Sequence, residues 1–101
     1  MKKGTFDICV LGERESVTGY ISDCGIWGID KRSKGEWIIT HLPTGSKAMP
    51  IVSNFQRAKR IVTKLAEQTE LWNIGKFGKI PKSARGNSAQ LKARQEAWKI
   101  E

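Results

Sequence analysis

The chain of 101 residues has one histidine, His41, two cysteines, Cys9 and Cys24, and three prolines. Nucleophilic catalysis needs a base beside the nucleophile and a third group that orients the base, and one histidine without a nucleophile elbow supplies no such set. Cys9, Cys24 and His41 stand 15 and 17 residues apart, with no short C-x-x-C or H-x-x-x-H knuckle, so no zinc site is expected. Gly25-Ile26-Trp27-Gly28 lacks both the spacing and the lysine of a phosphate-binding loop. The acidic residues are scattered singly, which argues against metal-dependent nuclease chemistry. Together these absences predict a protein that is not an enzyme and uses no cofactor or metal. No apolar run approaches the roughly 20 residues of a membrane span. Met1-Lys2-Lys3 leads into Gly4-Thr5-Phe6-Asp7 and not into an apolar segment of a signal peptide, so a cytoplasmic location and reduced thiols are expected.

Positive charge, by contrast, is abundant. Eighteen Lys/Arg face ten Asp/Glu, a net charge of +8. Residues 1–52 hold seven bases against six acids, residues 53–72 four against two, and residues 73–101 seven against two. The excess is thus concentrated toward the end of the chain, as in basic segments that meet nucleic acid or another acidic partner.

That end contains a period of three. From Ile74 to Arg85 the triplets read Ile-Gly-Lys, Phe-Gly-Lys, Ile-Pro-Lys and Ser-Ala-Arg. Three residues per turn fits a polyproline-type strap, with Lys76, Lys79, Lys82 and Arg85 along one edge about 9 Å apart and Ile74, Phe77 and Ile80 along another. The basic edge suits a phosphate backbone; the same geometry also suits a surface segment kept soluble by its lysines.

Ahead of the strap the pattern is that of an α+β domain over residues 1–72, followed by a basic arm and short helix over 73–101. Phe6, Ile8 and Val10 alternate with Asp7 and Cys9, which predicts a strand over Thr5–Leu11. Gly12–Ser16 reads as a polar turn, Val17–Ile21 as a second strand weakened by Gly19, and Ile26–Ile29 as a third. Lys31–Gly35 is expected to be a basic loop and Glu36–Leu42 a strand, turned at Pro43-Thr44-Gly45 into its partner Lys47–Val52. The expected sheet is a three- to four-stranded antiparallel meander packed by one amphipathic helix. Ser53 and Gln56 match a capping box, and Phe55, Ala58, Ile61, Val62, Leu65, Ala66 and Trp72 fall within an arc of about 140° at 100° per residue. Arg57, Arg60 and Lys64 form a basic ridge across from it. Gly86-Asn87-Ser88 breaks the chain before a helix over Ala89–Ile100, whose apolar residues lie on two opposite sides. Such a helix packs between two surfaces or orders on a partner.

Between Gly25 and Ala66, three antiparallel strands followed by one helix, with Trp37 in the middle strand, the Thr44-Gly45 turn and Ala58 in the helix, resemble the ethylene-response-factor DNA-binding domain and the arm-type domain of tyrosine integrases. The resemblance is one of topology and implies a sheet laid into the major groove. The dense arginine run of such sheets is missing here.

These features predict nucleic-acid binding, DNA or RNA, mainly through phosphates. The expected contacts are Lys31, Arg32 and Lys34, then Arg57, Arg60 and Lys64, and the strap bases Lys76, Lys79, Lys82 and Arg85. Trp27, set between glycines, is the candidate for stacking on a base, whereas Trp37 reads as a core residue. The competing expectation is a small adaptor or inhibitor of phage or mobile-element type. It would dock on an acidic protein partner such as a nucleic-acid enzyme, through Leu91, Arg94 and Trp98.

Overall fold

The computed structural model describes residues 1–67, 72 and 88–99. Five strands form one antiparallel sheet in sequential order: β1 (Lys2–Val10), β2 (Glu13–Ile21), β3 (Trp27–Ser33), β4 (Glu36–His41) and β5 (Ser46–Val52). Two helices follow, α1 (Phe55–Ala66) and α2 (Ser88–Trp98). The α+β class is as expected, but the sheet is a five-stranded half-barrel and not a three- to four-stranded meander. The strap, with Lys76, Lys79, Lys82 and Arg85, lies outside the described residues.

The extra extent comes from segments whose polarity disguises them. β2 begins at Glu13, directly after a two-residue turn of Leu11 and Gly12, both at positive φ (51° and 81°). Positive φ at both central positions is the type I′ geometry that matches the right-handed twist of a hairpin. Glu13, Arg14, Glu15 and Ser16, expected to be a loop, instead pair with Val10, Cys9, Ile8 and Asp7. The strand is polar because both its faces meet water there. β3 likewise runs through Lys31 and Arg32 to Ser33, with the register shifting between Lys31 and Ser33, so the basic residues stand on a strand and not in a loop.

The sheet curls because β2 serves two neighbours in succession. It pairs with β1 along its length but with β3 only at Tyr20–Ile29 and Ile21–Gly28. At Gly19 it crosses so close to β3 that an added Cβ would sit 2.1 Å from the Ile29 carbonyl oxygen. The β1–β2 hairpin therefore folds over the inner face of the sheet. There the Phe6 ring lies over Gly28, where a Cβ would be 2.8 Å from its Cζ, and Cys9 N–H donates to the Gly45 carbonyl at 2.9 Å. Asp30, Ile38 and Thr40, on the same face as Gly28, are buried.

The other face carries α1. Trp27, Ile29, Ile39 and Val52 meet Ala58, Ile61, Val62 and Leu65, which recur at helical spacing. Each such aliphatic side chain contributes roughly 1.5–3 kcal/mol on burial. The helix is capped one residue later than the capping-box pattern implies: Asn54 is the N-cap, and its side-chain oxygen accepts from Arg57 N–H at 2.8 Å. α2 packs on α1 through Ala97, which is fully buried in this core, and Arg57 donates to the Trp98 carbonyl at 2.8 Å. Over the part described, α2 buries Ala97 against α1 and leaves Lys92, Arg94, Gln95 and Glu96 exposed, with Lys99 exposed just beyond it.

Candidate nucleic-acid interface

The bases singled out from sequence divide into those free to meet a ligand and those already engaged. Lys31 and Arg32, as neighbours on a strand, project to opposite sides. The Arg32 guanidinium turns to the inner face and binds both carboxylate oxygens of Asp30, with Nη2 donating to Oδ1 at 3.2 Å and Nε to Oδ2. Asp30 is buried, so Arg32 neutralises a charge of the fold and is withdrawn from the phosphate-binding set. Lys34 is exposed at the β3–β4 turn.

On α1 the expected ridge also divides. Arg57 borders the buried stripe, is half-buried against α2 and is used on the Trp98 carbonyl. Arg60 and Lys64 remain exposed, Lys64 with Glu67 at 3.2 Å. Lys59, exposed on the flank nearer Phe55, belongs to the same outer surface and was missed because it lies off the ridge at helical spacing. Between Phe55 and Ala66 there are four bases and no acid.

The expectation for Trp27 is overturned, and that for Trp37 is met in part, since its half-buried side chain packs against the core cluster. Trp27, expected to be exposed between its glycines, is 2% exposed. It sits on the helix-facing side of a central strand, opposite His41, and its ring meets those of His41 at 5.3 Å and Trp72 at 5.1 Å. It is a core residue and is not available to a base. Trp37, expected to be core, lies near the end of that face and is half-buried. Its ring packs on Phe55 at 5.0 Å, and Phe55 packs on Tyr20 at 4.7 Å, so three partly exposed rings stand in file at the start of α1. Lys31, paired across the ladder with Trp37, holds its ammonium 5.9 Å from the Trp37 ring centroid. No sequence pattern marks this file, because its members come from β2, β4 and α1.

His41 is engaged within the fold through both ring nitrogens. Its Nε2–H donates to the Trp72 carbonyl at 2.5 Å, and its Nδ1 accepts from the Thr44 hydroxyl at 2.8 Å. Burial lowers the imidazole pKa below its usual 6.5, partly offset by the Trp72 carbonyl, so the ring is neutral at pH 7. Of the residues proposed for a protein partner, Arg94 is exposed on α2, Trp98 is half-buried against the core, and the side chain of Leu91 lies outside the described part.

Among the described residues no three His, Cys, Asp or Glu side chains are grouped to hold a metal, and no helix is long and apolar enough to cross a membrane. Cys9 and Cys24 are free thiols. The face of the sheet that would enter a major groove in the resembled DNA-binding domains is buried here beneath the β1–β2 hairpin, so that mode of docking is closed to this fold. Comparison with protein-family models, with curated proteins and with solved structures finds no match to this chain.

Proposed function

We propose that this is a non-enzymatic nucleic-acid-binding protein that holds phosphates on the outer surface of α1 and the adjoining end of β3 and β4. The observation that carries the reading is the charge of α1: four bases, no acid, with Lys59, Arg60 and Lys64 turned to solvent. The fold uses Arg57 on the Trp98 carbonyl, and the helix dipole favours Lys64 in the last turn. Lys59 and Arg60 sit nearer the N-terminal half, where the dipole does not favour a base. Among the described residues, Glu67 alone pairs with any of the three exposed bases, Lys64. Lys31 and Lys34 extend the positive surface beyond the N-terminal end of the helix. The far end of the β1–β2 hairpin (residues 7–16) is net −2, which leaves the remainder of the chain at +10 and gives an approaching polyanion a preferred side.

Electrophoretic shifts with single- and double-stranded oligonucleotides across a salt series test the proposal. Salt-sensitive micromolar binding is expected. The triple variant Lys59→Ala/Arg60→Ala/Lys64→Ala should flatten the log–log salt slope by about 2–3, at roughly 0.7–0.9 per phosphate contact. Arg32→Ala should lower thermal stability and leave the slope nearly unchanged. No binding at low salt, or an unaltered slope in the triple variant, rejects the proposal.

The β1–β2 turn favours a second reading, docking on a protein. Leu11 is 99% exposed and Val10 37% exposed, at a tip whose neighbours Glu13 and Glu15 are acidic. If oligonucleotides do not bind, this tip is a better anchor than the half-buried Trp98.

A further inference from the structure

We infer that the file Tyr20–Phe55–Trp37, with Lys31 at its end, is a stacking platform that selects single-stranded nucleic acid; the inference rests on the phosphate-binding reading and specifies its ligand. Three large rings from three elements converge here, with centroids 4.7 and 5.0 Å apart, and all three stay partly exposed. The same fold seals Trp27 to 2% exposure a short distance along the sheet, so leaving aromatics uncovered is not a general failing of this core. Two lysines flank the file. Lys31 places its ammonium 5.9 Å from the Trp37 centroid, while Lys59 follows Phe55 by four residues, on the same flank of α1 and about 6 Å along its axis. A base that stacks against the Trp37 ring displaces the Lys31 ammonium, which then swings to the adjacent phosphate. Lys59, Arg60 and Lys64 continue the phosphate track along the helix.

A duplex cannot use this arrangement. Its bases are already stacked on one another, and it presents backbone and groove edges only. Unpaired bases of any sequence have a π-face to offer, so the platform should be tolerant of sequence and selective for strandedness. Lys31, which sequence alone groups with Arg32 and Lys34 as one basic loop, is separated from Arg32 by strand alternation and is the member that reaches the rings.

The test is fluorescence anisotropy at one fixed salt concentration with three probes of equal length: a single strand bearing bases, an abasic single strand, and a duplex. The base-bearing strand should bind at least about tenfold more tightly than either of the others. Trp37→Leu should bring its Kd toward that of the abasic strand while abasic binding stays as in the wild type, which also reports that the variant is folded. Trp37→Phe keeps a ring in place and should retain most of the affinity, but lose most of the base-dependent quenching of tryptophan fluorescence. Equal affinity of the wild type for base-bearing and abasic strands overturns the platform and leaves the phosphate reading standing. Failure of all three probes to bind overturns both.

Discussion

Leu11 is the residue least explained by folding. It occupies the left-handed region at φ 51° at the first position of the β1–β2 turn, and its side chain is 99% exposed. An L-residue with a Cβ is strained there by about 1–2 kcal/mol, whereas Asn is tolerated in that region and is favoured before Gly in this turn type. Leu11→Asn should therefore stabilise the protein by about 1 kcal/mol, raising Tm by roughly 4–8 °C in a thermal melt. A lower Tm would mean that the leucine contributes to the folded state in a way its exposure hides. The same residue shows how far local reading reaches. Leu11 prolongs the apolar run at Val10, although it falls on the face of Asp7 and Cys9, so the strand is expected to include it. What ends the strand is the type I′ turn, which Gly12 permits and Leu11 does not advertise.

At the scale of elements, the capping of α1 is the sharpest point of difference from the sequence pattern. Ser53 and Gln56 have the spacing of a capping box, yet the side chain that accepts from the helix is that of Asn54, with φ −147° and ψ 154° as a cap requires. Asn54→Ala is expected to cost about 1 kcal/mol in denaturant unfolding, and Ser53→Ala close to nothing. Comparable losses for the two would restore Ser53 as a second cap. Otherwise α1 was the most legible element, since Ala58, Ile61, Val62 and Leu65 repeat at helical spacing and all are buried. β2 was the least legible over Glu13–Ser16, where exposure on both faces erases the alternation that marks a half-buried strand. The candidate surface follows the same logic. Arg60, Lys64 and Lys34 are exposed as a sequence argument expects. Arg32 and Arg57 are not free, because Asp30 and the Trp98 carbonyl reach them from places that only the tertiary fold makes adjacent. The aromatic file was invisible for the same reason.

At the scale of the whole molecule, the half-barrel depends on a close approach at Gly19. Sequence alone treats this glycine as a weakness in a strand, whereas in the fold it is where β2 passes from one neighbour to two. A methyl group there would meet the Ile29 carbonyl oxygen at 2.1 Å, and the obstacle is backbone, which cannot rotate away. Gly19→Ala must separate β2 from β3, next to the ladder pair Tyr20–Ile29, and so loosen the hairpin whose Phe6 ring covers Gly28. The expected loss is about 3 kcal/mol, the upper range of overpacking, read as a lowered urea midpoint. The variant also bears on function, because Tyr20 is carried by the strand that moves, while Lys59, Arg60 and Lys64 are carried by α1. If Gly19→Ala remains folded, single-strand preference should fall with the displacement of Tyr20, and the salt slope set by α1 should persist. A variant as stable as the wild type would mean that β2 and β3 can part at this point without cost, and the curl of the sheet would then need another cause.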